Sequence, residues 1–166
     1  KRYYEGQEFI DKIENLAIKR AQELFKTDYH FNIQPYSGSP ANLAAILAIC
    51  NPGDTIMGLE LSHGGHLTHG YKLSITGKIF NSIQYQVNKE TNLLDYEEIK
   101  KIALEKKPKL IIAGFTAYPR QFDFKKFREI ANECGAFLMA DISHISALVA
   151  AGIHSSPFGI ADIITS

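Results

Sequence analysis

FLMADISH, residues 137–144, is an apolar run that stops at a carboxylate, Asp141, with an imidazole, His144, three positions further on. It follows Gly135 and Ala136 and is flanked by helical patterns, as expected of a strand buried on both faces of a parallel sheet. The acid therefore stands at the strand's carboxyl end. In open α/β sheets that edge is where ligands bind, because helices cover both faces and the loops past the strand tips form a crevice. An Asp after a hydrophobic strand is also a common N-cap of the next helix, and a nearby His a common hydrogen-bonded structural residue. The stretch leaves both readings open, and the other strand ends bear on the choice.

Working outward, the pattern alternates strands with helices. An amphipathic helix is expected over Glu8–Phe25, with Phe9, Ile13, Leu16, Ala17, Ala21 and Leu24 forming a stripe that should be core. Residues 31–34 read as a short strand stopped by Pro35. Ser39 is the expected N-cap and Pro40 the first residue of a helix running through residues 43–50. Thr55–Leu59 reads as a strand, and Ile83, Tyr85 and Val87 alternate with polar residues as in a strand with one wetter face. Asp95 should cap a helix to Lys106, and Leu110–Gly114 is a second buried strand. Residues 123–134 form a further amphipathic helix with Gly135 past its end. After a small-residue segment at 147–152, residues 161–166 begin a last strand. This is an α/β unit with a mostly parallel sheet flanked by helices.

Four polar clusters follow strand-like runs: Ser37-Gly38-Ser39, the His63, His66 and His69 loop, Thr116 to Arg120, and Asp141 with His144. The first is either a capped helix start or a phosphate cradle, since free N–H groups and the helix dipole favour an anion there. Three histidines at intervals of three invite a metal reading. Gly64 and Gly65 argue against a helix that would align them, and a loop laying one imidazole over a flat ligand fits better. Together the clusters suit a planar, phosphorylated, nitrogen-containing cofactor, and pyridoxal phosphate meets that description. A carboxylate against its ring nitrogen would keep that nitrogen protonated and the ring electron-accepting.

Composition narrows the field. The chain has 166 residues, enough for one domain or one large piece of a domain, and its 18 basic and 18 acidic residues cancel. Nucleic acid is not an expected partner, because phosphate backbones need a concentrated positive field. The lysine pairs 100–101, 106–107 and 125–126 read as solvated helix faces. Cys50 and Cys134 lack metal or redox spacing and are expected to be buried reduced thiols of a soluble cytoplasmic protein. No secretory signal and no apolar run of membrane-spanning length occurs, so no membrane is expected as a partner. The chain opens at Lys1-Arg2-Tyr3-Tyr4 without Met and stops at Ser166 inside a strand pattern, and is read as cut at both ends.

RYYEG (residues 2–6), QPYSGSPAN (34–42), HGGHLTHG (63–70), AYPR (117–120) and Ala140-Asp141 with His144 resemble serine hydroxymethyltransferase, and the similarity runs from the first residue to the last. The resemblance implies part of the large, pyridoxal phosphate-binding domain of the type I aminotransferase-like fold over residues 1–166, without the C-terminal small domain. It implies interconversion of serine and glycine with tetrahydrofolate carrying the one-carbon unit, in a homodimer or homotetramer. By matching position, Ser37, Gly38 and Ser39 would hold the phosphate, His66 would stack on the pyridine ring, and Asp141 would pair with its nitrogen. Thr116 and His144 would sit near the phenolic oxygen. Tyr4 would lie by the substrate, in the partner subunit's site, and Leu61, Gly65, His66 and Leu67 match positions associated with folate.

Some positions depart from that pattern. Thr116 stands where Ser is usual, Ser143 where Ala is usual and Ala147 where Gly is usual. In the family, the strand begun by Ile164-Thr165-Ser166 runs on to His-Lys, the lysine that carries the cofactor. The piece alone is therefore expected to turn over little or no serine. Three rival readings are a threonine aldolase-like lyase, a metal-dependent hydrolase built on His63, His66 and His69, and a non-catalytic remnant.

Overall fold

The computed structural model describes residues 3–166, so the reading of Lys1 and Arg2 lies outside the described residues. The chain divides into two compact units, residues 1–36 and residues 37–166. In the first, helix α1 (Glu8–Phe25) forms where the 3.6-residue periodicity placed it, and Lys26 ends it in a left-handed conformation, φ 53°. The expectation that its apolar stripe is core is corrected: no residue of α1 is buried, and Phe9 and Ile13 are 65% and 61% exposed. Amphipathic spacing shows that a face wants cover; it does not say which segment supplies it. Residues 31–34 are irregular rather than a strand. The Asn32 side chain takes the Gln34 N–H at 3.0 Å, a local bond that competes with ladder pairing.

The second unit is built on five parallel strands: β1 (Thr55–Leu59), β2 (Asn81–Tyr85), β3 (Leu110–Gly114), β4 (Phe137–Asp141) and β5 (Ile163–Thr165), in the order β2-β1-β3-β4-β5. Register sets Ile112 against Met139 and Met139 against Ile163, so these side chains share one face. Helix α2 (Gly38–Ile49) packs Ile46 there, in a core with Cys50, Ile56, Phe80, Leu110, Ile112 and Met139. The opposite face carries the alternate residues. Tyr85 meets Phe127 of α5 (Phe124–Cys134) at 6.0 Å between rings, and Tyr96 of α4 (Tyr96–Lys106) meets Phe127 at 5.5 Å. Two short helices, α3 (Ile75–Ile79) and α6 (Ser146–Ala150), complete the unit. At about 25 cal/mol per Å² of apolar surface, each large buried side chain contributes roughly 1.5–3 kcal/mol, which is why strands this short hold their places.

The expected cap of α4 forms, and α5 has one of the same kind. Asp95 caps α4 by accepting the Glu98 N–H at 3.1 Å, and Asp123 caps α5 by accepting the Lys125 N–H at 2.8 Å. Two details differ. The residue preceding α2 is Ser37, not Ser39, and Pro40 is the third helical residue, a first-turn position where a missing N–H costs no helical bond. Strand β2 ends at Tyr85; Val87 instead forms an isolated antiparallel bridge with Leu94. Cys50 is buried as expected, whereas Cys134, at the last turn of α5, is only half-buried.

The strand order supplies what the pattern could not. From β1 the chain goes to one side for β2 and to the other for β3, so the sheet's switch point lies between β1 and β3. The loops leaving these two strands are bound together there: Thr116 N–H donates to Gly64 O at 2.7 Å and Ala117 N–H to the same oxygen at 3.2 Å.

Candidate active site

Asp141 closes β4 beside the switch point, 8% exposed, with both carboxylate oxygens engaged. Oδ1 accepts the Ser143 N–H at 3.1 Å and the Ser143 hydroxyl at 2.6 Å. Oδ2 accepts the Asn42 amide at 2.8 Å and His69 Nε2 at 2.8 Å. Burial opposes the charge, but the bonds from His69, Ser143 and Asn42 outweigh it and hold the carboxyl well below the usual carboxylate range. Asp141 is therefore an anion at neutral pH. It has also used the roughly four acceptor sites of a carboxylate, so a new donor must replace one of these four.

The backbone permits this only because β3 has glycine opposite. Gly114 pairs with Asp141 in the ladder, and a Cβ there would fall 2.5 Å from Asp141 Cβ and 2.6 Å from Asp141 O. Any side chain would displace the carboxylate.

From Asp141 the network runs on to the β1 loop. Asn42 Nδ2 also donates to Thr68 Oγ1 at 2.8 Å, and Thr68 Oγ1 lies 2.7 Å from His66 Nδ1. Burial and then His69 push the His66 imidazole below the ordinary histidine value, with His144 adding to the effect and Asp141 opposing it. His66 is neutral at pH 7. His66 and His69 are held by the two short 3-10 turns Leu61–His63 and Leu67–His69, which keep their rings 5.5 Å apart and tilted.

The start of α2 reaches the same place. A Cβ on Gly38 would lie 3.5 Å from Ser143 Oγ, so the first helical residue stands beside the hydroxyl that holds Asp141. The Ser37 side chain makes no capping bond, and the first-turn N–H groups of a twelve-residue helix are left to meet an anion. Buried around the carboxylate, Asn42 Oδ1, His69 Nδ1 and Thr165 Oγ1 have no hydrogen-bond partner among the described residues. Thr165 sits opposite Asp141 in the β4–β5 ladder.

The expected site residues thus divide. Gly38, with Ser37 and Ser39 around it, His66 and Asp141 converge. His144 is exposed and close enough to bear on the His66 charge. Thr116 is exposed in the loop bound to Gly64. Leu61, Gly65 and Leu67 line the loop that carries His66; Gly65 is buried, its missing side chain allowing contact with Leu59 O. Tyr4 belongs to the other unit and is 79% exposed. The metal reading of the histidine loop fails on geometry. His63 Nδ1 accepts the Val87 N–H at 3.2 Å, His69 turns to Asp141 and His66 to Thr68, so the three rings serve different partners. Among the described residues no three His, Cys, Asp or Glu side chains gather to hold a metal. Asn42, Thr68 and Thr165 are site neighbours that the sequence reading does not single out, and it takes His69 only as one of three candidate metal ligands. Their only signal was position inside the quoted motifs, because buried polar contacts across 26 to 99 residues of sequence leave no periodicity.

A doubly wound parallel sheet with an open helix start, an ionised acid and a neutral imidazole at its carboxyl edge defines an α/β protein consistent with the pyridoxal phosphate-dependent, aminotransferase-like fold. Residues 1–166 match the family model described as Serine hydroxymethyltransferase, and the chain belongs to that family. It is 60% identical over all 166 residues to the serine hydroxymethyltransferase of Desulfotalea psychrophila, 58% to that of Prochlorococcus marinus strain AS9601 and 56% to that of Teredinibacter turnerae. In each case the whole chain is matched, and it spans 39% of the relative's length.

Proposed function

We propose that the protein carrying this chain binds pyridoxal 5'-phosphate at the Asp141 crevice and interconverts serine and glycine with tetrahydrofolate as the one-carbon carrier. The observation that carries this reading is the ionised, buried Asp141 standing beside both His66 and the open start of α2. The donor set fits the group. The first turn of α2 with Ser37 and Ser39 would hold the phosphate, and Asp141 would take a ring N–H in place of the Ser143 hydroxyl. Orphaned Asn42 Oδ1 and Thr165 Oγ1 offer further polar atoms nearby. When bound, the cofactor supplies an electron-accepting ring.

The chain's own residues then have distinct tasks. Asp141 stays charged and so favours a protonated ring nitrogen. His66, neutral and half-buried, can lie against the ring without adding a second positive charge. Thr116 and His144 are proposed at the ring's phenolic edge, Leu61, Gly65 and Leu67 with His66 toward folate, and Tyr4 toward the substrate from a second copy of the chain. On this reading residues 1–166 are part of a larger cofactor-binding domain of a cytoplasmic homo-oligomer. No helix among the described residues is long and apolar enough to cross a membrane.

The test uses the full-length protein. Titration with pyridoxal phosphate should produce the visible absorbance of bound cofactor, and serine cleavage should depend on tetrahydrofolate. Asp141→Ala should abolish most of that cleavage. Folate-independent cleavage would favour an aldolase-type lyase, and a colourless protein would end the reading.

A further inference from the structure

The hydrogen-bond chain from Asp141 to His66 can be followed proton by proton. Asp141 is an anion and only accepts, so the Asn42 atom 2.8 Å from it must be the amide nitrogen. That nitrogen spends its second hydrogen on Thr68 Oγ1 at 2.8 Å. The Thr68 backbone N–H donates to His66 Nδ1 at 3.2 Å, which makes Nδ1 an acceptor, so the Thr68 hydroxyl 2.7 Å from it donates its one proton there. A ring nitrogen facing two donors must offer its lone pair, which leaves the imidazole hydrogen on Nε2.

We infer that Asn42 and Thr68 are positioning residues that carry the charge state of Asp141 to the His66 ring, fixing it as the neutral tautomer with Nδ1 bare and Nε2–H free for the crevice. Neither residue needs to touch a ligand. Asn42 is 1% exposed and Thr68 6% exposed, so water competes with neither bond. The titratable groups facing the ring are His69 from its own loop, Asp141 from the end of β4 and His144 beyond it. Under the pyridoxal phosphate reading, on which its catalytic meaning rests, the device keeps a second cation away from a protonated cofactor ring.

The experiment is nitrogen NMR of histidine-labelled full-length protein, with and without pyridoxal phosphate, the His66 signals being assigned by their loss in His66→Asn. At pH 7 the wild type should show an unprotonated Nδ1 and a protonated Nε2. In Thr68→Val a hydrogen bond that favours the neutral ring is gone, so the imidazolium midpoint should rise by about one pH unit, the equivalent of one hydrogen bond. Thr68→Ser should restore the wild-type titration. A protonated Nδ1 in the wild type at pH 7 overturns the inference, whether or not the variants fold. So does a Thr68→Val protein that titrates like the wild type. Absence of cofactor absorbance with the tautomer intact would instead count against the cofactor reading alone.

Discussion

His69 Nε2 lies 2.8 Å from Asp141 Oδ2, a pair buried at the sheet's carboxyl edge with side chains 1% and 8% exposed. Such a contact is worth more than a surface ion pair, because removing one member leaves the other desolvated and short of a partner. His69→Ala should destabilise the full-length protein by about 2–3 kcal/mol in urea unfolding at neutral pH. The folded-state pKa of Asp141 is depressed, so its contribution is present above the ordinary carboxylate pKa of about 3.9 and is lost as pH falls below it. The variant should therefore lose less stability than the wild type between neutral pH and pH 3. An identical acid profile would show that His69 does not set the Asp141 charge.

Ser143 donates its hydroxyl to Asp141 Oδ1 at 2.6 Å, occupying a site that a bound ring N–H would need. Ser143→Ala frees that oxygen while the Ser143 backbone N–H stays in place. Pyridoxal phosphate affinity should then rise by roughly three- to tenfold, the equivalent of about 1 kcal/mol, in a spectrophotometric titration of full-length protein. Weaker binding would mean that the hydroxyl serves the cofactor directly.

Gly114 faces Asp141 across the β3–β4 ladder at a distance that admits no side chain. Gly114→Ala should cost about 1–3 kcal/mol through the forced backbone shift and reduce cofactor absorbance more than stability alone explains. A variant that binds cofactor normally would place the acid's positioning elsewhere.

Tyr85, fully buried on the α5 face of the sheet, donates its hydroxyl to Ile112 O at 3.0 Å, and burial pushes its pKa well above the ordinary value. Its stabilising contribution is complete below the unfolded pKa of about 10 and fades as pH rises beyond it, because the unfolded chain ionises first. Tyr85→Phe should lose about 1 kcal/mol at pH 7 and show a shallower decline above pH 10 in thermal unfolding. Equal slopes would assign the alkaline decline to other groups.

Periodicity and composition were enough for the class of this fold. Buried strands such as β3 and β4 show as apolar runs, and Asp95 announces its helix, all through contacts local along the chain. The motifs also carried the family. What lay beyond them was any quantity set by pairing across distance. The order of the strands, and so the switch point that joins the Gly64 and Thr116 loops, depends on which edges meet. The charge on Asp141 depends on four donors brought from three separate segments, and the neutral state of His66 on its burial beside them. The open stripe of α1 shows the same division: side-chain spacing announces an apolar face, and only the folded surroundings decide what, if anything, covers it.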